Sequence, residues 1–144
     1  MITVSGGSPR VDRPLALRLS LERDPQAPSL ARRAVADLSD TSRFLPEEMA
    51  TLTLLVSELV SNAVLHSDAP STCGILLQAQ FLEEGAVRVE VIDCGSGFTV
   101  IPRDPKRPIG GFGLYLVDKQ ATRWGVDCEG GTRVWFELAK SPRN

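Results

Sequence analysis

Histidine occurs once and cysteine three times in this chain of 144 residues, and each scarcity removes a class of chemistry. With His66 alone, no H-E-x-x-H metal site can be built, and a Ser-His-Asp hydrolase would depend wholly on that residue with no G-x-S-x-G to support it. Cys73, Cys94 and Cys128 are odd in number and never arranged as C-x-x-C, so neither a zinc ribbon nor a secreted disulfide framework is indicated; all three are expected to be reduced. A P-loop is absent, and neither Gly-x-Gly continues to the third glycine of a dinucleotide fingerprint. Positive charge is not in excess: 16 Lys and Arg face 18 Asp and Glu, for a net charge of -2. That balance lacks the basic footprint of a nucleic-acid binder. No apolar run approaches the roughly 20 residues that span a bilayer, and residues 1–20 hold no signal-peptide core. A soluble cytoplasmic protein without membrane or direct nucleic-acid partners is expected.

What is present suits one folded domain. The chain is 42% apolar and 24% charged, and at this length folding removes roughly 68–70% of the unfolded surface from water. Residues 1–10, rich in Ser, Gly and Pro, read as a flexible leader; residues 11–140 form the domain and 141–144 a flexible tail.

Hydrophobic periodicity supplies the elements. Leu15, Leu17, Leu19 and Leu21 alternate with small or polar residues as in a half-buried strand. Pro28 to Leu38 has helical spacing with Arg32, Arg33 and Asp37 on the outer side. Pro46, Glu47 and Glu48 open a second helix reaching about His66, which is apolar nearly all round except at Thr53, Ser57, Glu58, Ser61 and Asn62. Ile75 to Leu82 and Val87 to Ile92 read as a hairpin turning at Glu83-Glu84-Gly85. A long loop, Asp93 to Gly113, precedes a third helix, Leu114 to Trp124, and a closing hairpin of Gly125 to Glu129 and Thr132 to Leu138. Helices alternating with strand pairs predict an α+β two-layer sandwich, a mixed β-sheet with the helices on one face.

Three features stand out as chemistry. Glu58 and Asn62, four apart, share one face of the apolar second helix. A carboxylate there needs polar company, either a ligand or an internal network with Ser57 and Ser61. Asp93-Cys94-Gly95-Ser96-Gly97 follows an apolar strand and reads either as a plain turn or as an acceptor beside open backbone amides. Gly110-Gly111-Phe112-Gly113 immediately precedes a helix, where bare amides can seat phosphate or simply form a linker. Arg103, Lys106 and Arg107 lie between these glycine clusters as phosphate partners or solvated charges. His66 reads as a packing or capping residue and Cys94 as a small strand-end residue.

Taken in order, these motifs resemble the GHKL ATPase superfamily. Glu58-Leu59-Val60-Ser61-Asn62-Ala63-Val64 is similar to its N-box, Asp93-x-Gly95-x-Gly97 to its first glycine box, Gly111-x-Gly113 to its second, and Gly131-Thr132 to its closing Gly-Thr strand. Small size and the Gly-Thr-Arg-Val-Trp-Phe-Glu-Leu ending look most like the stand-alone anti-sigma-factor serine kinases. The resemblance implies a Bergerat-type ATP-binding fold using ATP and Mg²⁺. It implies a protein partner, an anti-anti-sigma-type domain carrying the acceptor serine and/or a sigma factor, with a homodimer possible. Asp93 would accept from the adenine amino group, Asn62 would hold Mg²⁺ between phosphates, and Glu58 would orient or deprotonate the attacking hydroxyl as the catalytic residue. Gly95, Gly97, Gly111 and Gly113 would line the nucleotide, and Thr132 would sit near the adenine edge. Similar kinases carry a basic residue ahead of the second glycine box, where this chain has Ile109 and Gly110, leaving Arg107 for the terminal phosphate. The alternative is a catalytically silent ATP-binding or purely protein-binding module.

Overall fold

Strands with apolar residues at alternate positions build one sheet, and the helices cover its apolar side. The computed structural model describes residues 2–4, 14–38, 44–66, 69–70, 72–95, 112–128 and 130–140. In chain order the elements are β1 (Ile2–Val4), β2 (Leu17–Leu21), α1 (Ala27–Ala36), α2 (Pro46–His66), β3 (Ile75–Phe81), β4 (Val87–Asp93), α3 (Phe112–Gln120), β5 (Arg123–Asp127) and β6 (Thr132–Leu138). The sheet order is β1-β5-β6-β4-β3-β2. All neighbouring pairs are antiparallel except β1 with β5, which makes the sheet mixed.

Register puts every inward side chain on one face. Val89 of β4 lies opposite Ala79 on β3 and Phe136 on β6, and Phe136 lies opposite Trp124 on β5. These four are buried, together with Ile75, Leu77, Val91 and Val126. Against them pack Ala31 and Val35 of α1, Leu52, Leu55, Val56, Leu59 and Val60 of α2, and Leu114 and Val117 of α3. The expected two-layer α+β sandwich is the observed architecture.

By length and composition α2 is apolar enough to cross a membrane. Its apolar residues instead form the centre of this core, because α1, α3 and β4 contact it from different sides. At its start Glu48 Oε1 accepts from the Leu45 backbone N–H at 2.6 Å, half of a capping box that fixes the first turn after Pro46. Arg32 of α1 donates to Ser57 Oγ at 2.7 Å and ties the two long helices together.

On the opposite sheet face the polar partners are charged. Arg88 pairs with Glu90 and Glu137, each at 2.9 Å, and its guanidinium stacks 4.1 Å from the Trp135 ring centre. Arg123 also bonds Glu137, and Arg133 faces Glu90 at 3.5 Å. Arg88 is only 1% exposed, and these bonds engage its Nε and Nη1, while Nη2 is buried without a hydrogen-bond partner among the described residues.

Several expectations are corrected by this arrangement. Ile2–Val4, assigned to a flexible leader, is a strand paired in parallel with Trp124–Val126. Three residues are too few to show an alternation, and their partner lies at the other end of the chain. The third helix ends at Gln120 rather than Trp124. Trp124 belongs to β5, buried under the helices with Nε1 donating to Asp118 of α3 at 3.0 Å. Cys73 and Cys94, expected to be reduced thiols, are joined as a disulfide. Their spacing of 21 residues hides a proximity that the β3–β4 register creates, since Leu76 opposite Ile92 brings residues 73–74 alongside 94–95.

Candidate functional site

The helix-facing side turns polar where β4 ends and β6 begins. Alternation along β4 directs Val87, Val89, Val91 and Asp93 to the helix side, and Asp93 lies directly opposite Thr132 of β6. The apolar ladder thus terminates in a carboxylate and a hydroxyl. Asp93 Oδ1 accepts the Gly95 backbone N–H at 2.6 Å, and the buried Thr132 Oγ1 donates to the Gly95 carbonyl at 3.2 Å. Three sequence-selected residues, Asp93, Gly95 and Thr132, are therefore one hydrogen-bonded unit. One carboxylate oxygen holds the turn, and Oδ2 has no hydrogen-bond partner among the described residues.

Gly131 allows the unit to close. Its φ is +125°, and a Cβ there would stand 2.4 Å from the Asp93 carbonyl oxygen. Neither condition suits another residue. Gly131→Ala is expected to lower stability by about 2–3 kcal/mol, combining backbone strain with displacement of the β4 end. Urea unfolding of the two proteins side by side checks this, and a change below about 0.5 kcal/mol would contradict the close packing.

Glu58 and Asn62 occupy the open stripe of α2. Both are half-buried, between Leu54 at 38% and Leu65 at 72% exposure. Of the apolar neighbours on their face, Leu55 is buried while Leu54 and Leu65 are exposed, so the stripe is open on one side. The alternative internal network with Ser57 and Ser61 is not formed among the described residues, since Ser57 turns to Arg32. Neither Glu58 nor Asn62 makes a side-chain hydrogen bond there. A neutral amide oxygen and a carboxylate, four residues apart and unengaged, are thus available to a ligand, and α2 packs directly on β4.

Gly113 lies in the first turn of α3. Gly97, Arg107 and Gly111 lie outside the described residues, as do Arg103, Lys106, Ile109, Gly110 and the His66 side chain. No group of three or more His, Cys, Asp or Glu side chains able to hold a metal exists among the described residues. The sequence reading missed the Cys73–Cys94 pair beside Asp93, which the hairpin register centred on residues 82–86 could have revealed.

Comparison with known proteins bears on this geometry. The family model for the histidine kinase-like ATPase domain matches residues 21–138. The chain belongs to that family. Its match begins at the last residue of β2 and ends at the last residue of β6, so it includes Glu58, Asn62, Asp93 and Thr132. Among curated proteins, the chain is 25% identical over 114 residues to the serine-protein kinase RsbW of Listeria monocytogenes, covering 71% of this chain and 73% of that protein. Among solved structures, the RsbU and RsbW domains of Rv1364c from Mycobacterium tuberculosis superpose with a TM-score of 0.70 at 23% identity over 93% of this chain. That match spans only 34% of the Rv1364c chain. The blue-light activated histidine kinase of Erythrobacter litoralis EL346 gives a TM-score of 0.57 at 23% identity, over 78% of this chain and 40% of its own. The two structural matches establish the fold.

Proposed function

We propose that this domain is an ATP-binding regulator of the anti-sigma-factor kinase kind, which transfers the ATP γ-phosphate to a serine of an anti-anti-sigma-type protein and/or sequesters a sigma factor. The observation that carries the reading is the Asp93–Gly95–Thr132 unit in a member of the histidine kinase-like ATPase family. The RsbW relative, named as a serine-protein kinase, supports serine as the acceptor class.

The described residues have roles that their surroundings allow. Asp93 Oδ2 accepts from the adenine amino group while Oδ1 keeps the turn closed. Thr132, buried beside it, borders the purine edge. Gly97, Gly111 and Gly113 are assigned to the phosphates from the motif pattern, and Arg107 to the charge of the terminal one. Asn62, a neutral oxygen donor with no competing hydrogen bond among the described residues, would hold Mg²⁺ together with the phosphates. When bound, the ion screens the phosphate charge. Glu58, one helical turn away on the same stripe, orients the acceptor hydroxyl and takes its proton. A soluble cytoplasmic setting fits such a partner.

Calorimetric titration of ATP with and without Mg²⁺, followed by incubation with a co-encoded anti-anti-sigma-type protein, tests the reading. Saturable Mg²⁺-dependent binding and phosphoserine on the partner are expected. Absence of binding to the folded chain would overturn it. Binding without phosphotransfer would instead favour a silent module in which nucleotide only shapes a partner surface.

A further inference from the structure

We infer that Cys73 and Cys94 form a reversible thiol-oxidation site whose state sets how tightly the neighbouring pocket holds nucleotide. The inference rests on the proposed role of Asp93 in ATP binding.

Cys94 directly follows Asp93 and precedes Gly95, so it is part of the turn closed by the Gly95 N–H to Asp93 Oδ1 bond. The disulfide links it to Cys73, with the two Cα atoms 6.2 Å apart, across the open end of the β3–β4 ladder just past the last paired residues. The Cys73 side of the bond is well anchored. Its backbone N–H donates to the Pro70 carbonyl at 2.9 Å, and Arg23 holds the Ala69 and Pro70 carbonyls. Gly74 packs so closely that a Cβ there would stand 2.7 Å from the Leu21 carbonyl oxygen. A covalent tie to this braced segment therefore immobilises the backbone that carries Asp93 and Gly95.

Access favours exchange. Cys94 is exposed and Cys73 half-buried, so a small reagent reaches Cys94. In the oxidising direction the Cys94 thiolate attacks one sulfur of a low-molecular-weight disulfide and expels one thiolate. Cys73, also as thiolate, then attacks the Cys94 sulfur of the mixed disulfide and expels the second. The protein loses two electrons, the small disulfide gains them, and the two thiol protons end on the released thiols. Disulfides of proteins in reducing compartments are usually of this transient, sensing kind.

Oxidation removes in advance the backbone freedom that a nucleotide must otherwise suppress, so the oxidised protein binds more tightly. The affinity for ATP with Mg²⁺ is expected to fall about threefold to tenfold on reduction. The test equilibrates the full chain with reduced or oxidised glutathione, counts alkylatable thiols by mass, and measures ATP binding by calorimetry in each state. Three alkylatable thiols in the reduced form, a Cys73–Cys94 cross-link without added glutathione mass in the oxidised form and weaker binding on reduction are expected, whether or not the exposed Cys128 takes up glutathione. Cys73→Ser, which removes the resolving sulfur and leaves Asp93, Gly95 and Thr132 unchanged, is expected in reduced glutathione to bind like the reduced wild type and in oxidised glutathione to stop at the mixed disulfide on Cys94, seen by its added glutathione mass.

Absence of the Cys73–Cys94 cross-link in oxidised glutathione would overturn the site, and equal affinities in the two wild-type states would overturn its coupling to nucleotide. If neither state binds ATP, the nucleotide reading and the coupling both fall, while the thiol count still decides whether the pair oxidises.

Discussion

Glu58→Gln is expected to slow phosphotransfer by at least about 100-fold while leaving ATP affinity within about twofold, the range associated with loss of a positioned general base. Glutamine keeps the size and hydrogen-bonding reach of the side chain but cannot take a proton from the acceptor hydroxyl. Because Glu58 is half-buried and makes no side-chain hydrogen bond among the described residues, the substitution strands no partner in the core. Stability should change by no more than about 0.5 kcal/mol. The measurement is single-turnover transfer from ATP to the serine of the partner protein, with affinity measured separately by calorimetry. Transfer at the wild-type rate would remove Glu58 from the chemistry and leave positioning and charge neutralisation to account for it.

Asp93→Asn should act on binding itself. The carboxylate has two acceptor oxygens, one occupied by the Gly95 N–H at 2.6 Å and the other free for the adenine amino group. Asparagine has one acceptor and one donor. In either orientation of its amide, an NH₂ group faces another N–H, that of Gly95 or that of the purine. Losing a hydrogen bond to a charged group and placing donor against donor is worth about 2–3 kcal/mol, so affinity should fall about 30-fold to 150-fold. Titration of ATP with Mg²⁺ into wild type and variant measures this directly. Undiminished affinity would mean that Asp93 serves only to close the turn and that the nucleotide base, if bound, lies elsewhere.

Helix α2 shows how the same residues can be legible in identity and misread in environment. The interruption of an apolar helix by Glu58 and Asn62 was visible as a pattern, and both do lie on one stripe. Their depth was not visible, because an all-round apolar helix does not say which face its neighbours will cover. Contacts from α1, α3 and β4 leave Leu54 and Leu65 exposed beside the two polar residues. Trp124 makes the converse point. It continues the apolar spacing of α3, yet its indole fits between that helix and the sheet only from β5, with Asp118 receiving its N–H.

By itself the sequence determined the local and periodic features. The long second helix follows from its Pro46-Glu47-Glu48 start and apolar body, and the two hairpins from alternation around Glu83-Glu84-Gly85 and Gly130-Gly131. The layered α+β architecture follows from their order, and the motif set that marks the family runs through Glu58, Asn62, Asp93 and Gly131-Thr132. Such features depend on neighbours within a few residues, which a single chain displays directly. The tertiary structure alone decided the pairing of Ile2–Val4 with a strand more than a hundred residues later, the burial of Arg88 among Glu90, Glu137 and Trp135, and the junction of Cys73 with Cys94 beside Asp93. Each is a contact between segments far apart in sequence, set by strand order and register, and these become definite only when the apolar faces of the whole sheet and its helices are buried together.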